Sequence, residues 1–215
     1  MGCLQIFPHF LLSIIMVNKM RQNILIIFVF LLIYSTTFAQ SADSIYTLTT
    51  YGGVGFVRNV SDFTFEYPNL DKGGFLGNLR VMWKPDYLLR VGIEVGRSDL
   101  YSVDQSEVPT DSGTTNLQTD VYIWSFMTVF SMSPINNLDI NIGAGVGFNT
   151  VNNTAFGNES TSTDAGSVFM ISTGYYFPIS QGFKIGAELK GMGIPKYDDY
   201  TIALQVSFAY KFLEY

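Results

Sequence analysis

The sequence predicts an all-β chain, folded as an eight-stranded antiparallel up-and-down transmembrane β-barrel. Three observations predict it. Apolar and polar residues alternate with a period of two in one segment after another, the mark of a strand with two unlike faces. The links between these segments are short and long by turns. The polar faces consist mostly of Gly, Ala, Ser, Thr and Asn, not of the dense charge that a water-facing surface carries. Composition agrees: of 215 residues, 47% are hydrophobic, 15% aromatic and 14% charged, against about 25% charged in a typical soluble domain.

Residues 1–39 read as an N-terminal extension followed by a secretory signal peptide. Met20 is the expected translation start, Arg21 supplies the positive flank, and Ile24–Ile33 is an uninterrupted apolar run. Thr37-Phe38-Ala39 fits a small-x-small cleavage site with the cut after Ala39. The run is too short for the ~20 residues of a spanning helix. Residues 40–215 are then the mature barrel. Cys3 and His9, the single cysteine and the single histidine, both precede the cut. The mature chain is thus expected to have no thiol and no imidazole, which excludes disulfides, zinc centres and His- or Cys-based catalysis. Removing Lys19 and Arg21 leaves 10 basic groups against 18 acidic, a formal charge of −8, which argues against a nucleic-acid partner.

The strands follow in order. Tyr46–Val57 sets Leu48, Val54 and Phe56 against Thr47, Thr49, Tyr51, Gly53 and Gly55. Gly74–Lys84 sets Phe75, Leu79, Val81 and Trp83 against Asn78, Arg80 and Lys84. Leu88–Arg97 sets Leu89, Val91, Ile93 and Val95 against Arg90, Gly92, Glu94 and Gly96. Val121–Ser133 is apolar on both faces and gives no orientation. Leu138–Asn149, "LDINIGAGVGFN", sets five bulky apolar residues and Ala144 against Asp139, Asn141, Gly143, Gly145, Gly147 and Asn149. Its glycines lack the G-x-G-x-x-G or G-K-[ST] spacing of a phosphate loop; they belong to the polar face, where they make room for larger neighbours. Ser167–Phe177 is again unoriented. Phe183–Lys190 sets Phe183, Ile185, Ala187 and Leu189 against Lys184, Gly186, Glu188 and Lys190. Thr201–Phe212 alternates throughout, from Ile202 to Phe212 on its apolar face.

Three links are tight, "PDY", "PINN" and "PISQG", each opening on a proline suited to a turn. The other four, 58–73, 98–120, 150–166 and 191–200, read as long polar loops. An even number of strands lets such a meander close and removes its edges.

Two closed folds share this pattern. A lipocalin-like soluble barrel would turn the apolar faces inward; a membrane barrel turns them out. The polar faces favour the second, because small residues and compensated charges suit the narrow interior of an eight-stranded barrel. The oriented apolar faces carry no charge, where a Lys or Arg at the bilayer midplane would cost ~2–4 kcal/mol. Trp83, Tyr87, Tyr176, Phe177, Tyr210 and Phe212 are expected to form an interfacial girdle at the tight-turn end.

With its signal peptide, "RVGIEVG" (90–96), "IGAGVGF" (142–148) and the closing "VSFAYKF" (206–212), the chain resembles small outer-membrane β-barrel proteins of the OmpA/OmpX/OmpW type. The resemblance implies the outer membrane of a Gram-negative envelope as its location. It implies outer-membrane lipid and lipopolysaccharide as surroundings, and reading of the aromatic C-terminal strand by the barrel-assembly machinery. Leu213, Glu214 and Tyr215 extend that ending beyond Phe212, a small departure.

Arg80, Arg90 and Glu94 fall within cross-strand reach, and Lys184, Glu188 and Lys190 form a second set. They are expected to make a packed polar lumen network, since buried charges must be paired; a gate or a binding site is the functional alternative. The long loops hold 12 of the 18 acidic residues, among them Asp104, Glu107, Asp111, Asp198 and Asp199, without calcium-loop spacing. No catalytic motif, cofactor or metal is expected. The function read here is non-enzymatic: envelope structure or surface interaction through the acidic loops. The alternative is binding or passage of a small, hydrophobic molecule through the barrel.

Overall fold

The computed structural model describes residues 46–61, 69–85, 89–110, 113–156 and 158–214. The signal peptide with its start at Met20 and cut after Ala39, Cys3, His9, Tyr87, Asp111 and Tyr215 lie outside them, as does the "PDY" link beyond Pro85. Eight strands follow the alternation: β1 (Thr47–Asn59), β2 (Gly73–Lys84), β3 (Leu89–Thr110), β4 (Gly113–Ile135), β5 (Leu138–Ala155), β6 (Asn158–Ser180), β7 (Phe183–Ile194) and β8 (Asp199–Glu214). Each pairs antiparallel with the next, and β1 pairs with β8 from Asn59↔Thr201 to Thr47↔Glu214, so the ring closes. A two-residue strand, Leu70–Asp71, adds to β3 at Val103 and Ser102.

The faces lie as the clear alternations indicate. Val54, Phe56, Leu79, Ile93, Ile142, Leu189 and Leu204 are exposed, Phe56 at 76% and Leu204 at 63%, while Arg80, Glu94, Glu188 and Lys190 are at most 2% exposed. A soluble barrel would bury the first set and solvate the second. In water this surface would be one continuous apolar patch around the molecule, far beyond the few hundred Å² that soluble monomers expose. The inverted pattern is that of a barrel solvated by lipid.

The two unoriented strands are resolved by the fold. In β4, Val121, Ile123, Met127 and Val129 point inward and Trp124, Phe126 and Phe130 outward. In β6, Val168, Met170 and Tyr176 point inward and Phe169, Ile171, Tyr175 and Phe177 outward. Their alternation is invisible because lipid touches one face and an apolar interior touches the other. Tyr176 therefore leaves the expected girdle: it is buried, and its place outside is taken by Tyr175, packed edge-on to Phe177 at 4.9 Å.

Two expectations about the links are corrected. The turns themselves are Asn136–Asn137 and Gln181–Gly182, with Asn137 at φ 70° and Gly182 at φ 95°. Both positions need the left-handed region that Asn and Gly tolerate. The prolines stand earlier, Pro134 and Pro178, beside register shifts at the ends of β4 and β6. Segments 98–120 and 150–166 are not loops. Residues 98–110, 113–120, 150–155 and 158–166 continue as paired strand, so that β3, β4 and β6 reach 22, 23 and 23 residues. A strand crossing the membrane needs only about 9–11. The excess of all four strands β3–β6 stands above the barrel at its long-loop end as a raised four-stranded sheet. Ser, Thr and Asn occur on both faces there, with buried Leu100 and Val103 among them, so little apolar contrast marks the strands.

Candidate functional site: a filled lumen beneath a raised sheet

Near mid-lumen the strands bring four charges together. Arg80 on β2 lies opposite Glu94 on β3. Its guanidinium donates to Glu94 at 2.6 Å and across the lumen to Glu188 of β7 at 2.8 Å. Lys190, two residues after Glu188, donates to the other Glu94 oxygen at 2.7 Å. Tyr176 adds its hydroxyl to Glu188 at 3.0 Å. The ring has room because Gly174 and Gly186, its neighbours on the lumen face, have no side chain: a Cβ on either would strike the Tyr176 ring. Two cations and two carboxylates thus close a net-neutral quartet, with Glu94 and Glu188 each held by two donors. Sealed from water, such a set must be complete, since each unpaired charge would bear its full desolvation cost.

Arg90 does not join this quartet. It lies lower, one residue inside β3, and pairs with Asp139 at 2.6 Å while donating to Tyr51, Ser131 and Ser133. The Tyr51 ring stands between the two groups, 5.8 Å from the Arg80 guanidinium carbon and 5.9 Å from that of Arg90. Lys184 is not brought to either group; it sits exposed at the tight-turn rim, opposite Pro178. The division of six residues into two sequence-local sets is therefore replaced by a cross-lumen quartet, a separate Arg90 cluster and a free rim lysine. Asp139, Tyr51 and Tyr176 are partners that sequence reasoning missed. Asp139 is visible on the polar face of its strand, but its donor Ser133, and Ser131, which accepts from Arg90, lie on a strand without orientation.

Above the quartet the lumen is not purely polar, contrary to expectation: apolar side chains share it with buried Ser98, Ser125 and Asn149. Leu100, Val121, Ile123, Val168, Met192 and Ile194 form an apolar plug, continuous with Met127, Val129 and Met170 below. Gly147 lies against Ile123 and Val168, and a Cβ there would collide with both side chains. Between plug and quartet remains a cavity of ≈ 10 Å³, bordered by Asn78, Glu94, Ser98, Ser125 and Lys190. That is about the room of one water.

At the loop end, Asn59 donates to Asp199 at 3.1 Å, and the Ser61 hydroxyl accepts from the Tyr200 amide at 2.7 Å, which locks the β1–β8 seam. Outside, Arg97 stacks on Tyr122 at 4.3 Å. Beside the raised sheet, the β7–β8 link reaches back to β6. Lys196 donates to Asp164 at 2.5 Å and to the Ala165 carbonyl at 3.0 Å, and the Tyr197 hydroxyl donates to Asp164 at 2.7 Å. These two donors hold the Asp164 carboxyl below the ordinary aspartate range, and the carboxylate in turn raises Lys196. Among the described residues, no group of three or more His, Cys, Asp or Glu is placed to hold a metal.

No family model matches the chain, and no curated protein matches it either. Solved structures do. Ail, the attachment invasion locus protein of Yersinia pestis, is 12% identical, with 80% of this chain and 100% of that one covered and a TM-score of 0.46. Neisserial surface protein A is 14% identical, with 80% and 100% covered and a TM-score of 0.46. The N-terminal β-barrel domain of Pseudomonas aeruginosa OprF is 14% identical, with 76% and 97% covered and a TM-score of 0.44.

Proposed function

We propose that this chain is a non-catalytic integral barrel of the outer membrane whose lumen is closed and whose working part is the raised sheet. The reading rests on the inverted exposure pattern, apolar outside and ionic within, for the membrane. It rests on the two-layer filling of the lumen, quartet and plug, for closure. What remains for function is the surface offered to water at the loop end: the hairpins β3–β4 and β5–β6, which extend well beyond the length needed to cross lipid. Outer-membrane lipid and lipopolysaccharide surround the apolar band, and the aromatic end of β8 serves the assembly machinery.

Fractionation tests the location: the protein should enter the outer-membrane fraction and migrate differently before and after boiling on a denaturing gel. Planar bilayers test the closure. Purified protein should give no stable conductance. A reproducible open channel would overturn the closed-lumen reading in favour of passage of a small molecule, and a heat-insensitive periplasmic species would overturn the membrane reading.

A further inference from the structure

The small cavity between quartet and plug has a polar border, and two of the groups on it have hydrogen bonds to spare. Ser98 of β3 is 3% exposed, and its hydroxyl meets no hydrogen-bond partner among the described residues. Lys190 of β7 is 2% exposed. Its ammonium has three N–H groups to place and meets one acceptor among the described residues, Glu94 at 2.7 Å. Ser125 differs, since it donates to the Gly96 carbonyl at 3.4 Å. Gly96 also makes the room. A Cβ there would stand 3.3 Å from the Ser125 hydroxyl oxygen and 3.4 Å from the Asn78 Cβ, within the cavity that these residues border. A buried hydroxyl or ammonium N–H left unmet bears the cost of the solvent it gave up. Ser98 and Lys190 therefore call for a third group that reaches both.

We propose that this cavity is a binding site for a single water molecule, which accepts from the Lys190 ammonium, hydrogen-bonds the Ser98 hydroxyl and so becomes a fifth member of the quartet. Size and chemistry together select it. A volume of ≈ 10 Å³ holds one water and no organic molecule. A cation would face Lys190 and an anion would face Glu94, while the quartet itself is already neutral, so an ion would find nothing there to offset its dehydration. Water carries no charge and offers both donors and acceptors. A buried water ordinarily makes about three hydrogen bonds to protein, and Lys190, Ser98 and the Asn78 carboxamide stand on the border to make them. Met127 and Met192 line the remaining side with apolar surface, so the molecule is held from one direction. It is sealed in with the quartet, apart from bulk water, and the inference rests on the closed-lumen reading above.

The test turns on the sign of one stability change and on the electron density of the full barrel. Ser98→Ala removes the hydroxyl. In a dry cavity that would relieve a buried polar group without a partner, and the urea midpoint in micelles would hold or rise. With the water in place it takes away one of the water's hydrogen bonds, and the folded-to-unfolded ratio should fall about two- to tenfold. Crystals of the unaltered protein should show one oxygen within hydrogen-bond distance of Ser98 Oγ and Lys190 Nζ, with no anomalous signal there after a bromide soak. Gly96→Ala, which places a methyl group in the same space, should abolish that density while the quartet stays in place. An unchanged or higher midpoint for Ser98→Ala overturns the proposal. So does a cavity without density, and a bromide signal overturns the neutral ligand in favour of an anion. If the cavity is dry while planar bilayers show no conductance, this inference alone fails; a steady open channel would sink the closed-lumen reading instead.

Discussion

Across the lumen, β2, β3 and β7 present Arg80, Glu94, Glu188 and Lys190 to one another, while β4 and β6 present Ile123, Met127, Val129, Val168 and Met170. Both fillings shut out water, but they depend on different physics. The ionic wall is all-or-none. Its charges are tolerated only as a complete set, because a charge stripped of water and partner has nowhere to recover its solvation. The apolar wall is graded: it loses roughly what each missing methyl group contributed, plus the void left behind. A chain can therefore change the plug in small steps but must change the quartet in concert.

The sharpest way to break that contrast is at Glu94, the carboxylate shared by Arg80 and Lys190. Glu94→Gln leaves two buried cations with one remaining carboxylate between them. The expected loss is about 3–5 kcal/mol, the range for breaking a buried pair from one side, read as a shift in urea unfolding of the barrel in micelles. Replacing Arg80, Glu94, Glu188 and Lys190 together by apolar residues of similar volume should cost clearly less than Glu94→Gln alone. Were the fourfold change the worse of the two, the all-or-none description would fail. Tyr176→Phe comes next. It removes the hydroxyl bound to Glu188 but leaves the ring on Gly174, at an expected cost of about 1.5–3 kcal/mol for a hydrogen bond to a charge. On the apolar side, Ile123→Val removes one methylene beside Gly147 and should cost only about 0.5–1.5 kcal/mol.

The same two walls show what could be read in the chain and what could not. Six strands declare their facing because lipid and a polar or glycine-rich interior give their two sides unlike residues. β4 and β6 hide theirs because the plug makes both sides apolar, and so Tyr176 was placed outside. The lumen residues could be assigned to a face but not to partners: Arg80 meets Glu188 across 108 positions of sequence and Lys190 meets Glu94 across 96. Those pairings depend on how the ring closes, which strand-local reasoning does not contain. The raised sheet was read as loop for the opposite reason to the plug. Thr, Ser and Asn occupy both of its faces, and the few buried apolar residues, Leu100 and Val103 among them, are too sparse to give a period.

The smallest effect is expected at Lys184, and it sharpens the comparison most cheaply. Lys184 and Lys190 share a strand and a facing, six residues apart, yet Lys190 is sealed against Glu94 while Lys184 stands in solvent at the rim. Lys190→Gln takes the partner of a buried carboxylate and belongs with Glu94→Gln in kind. Lys184→Gln takes a charge from water and should stay within about ±0.5 kcal/mol, as surface changes do. The two substitutions are chemically identical and made on the same polar face, so composition and alternation would rank them alike. A measured loss at Lys184 as large as at Lys190 would mean that the rim is as dry as the centre, and that position along the barrel axis does not decide the cost of a lumen charge.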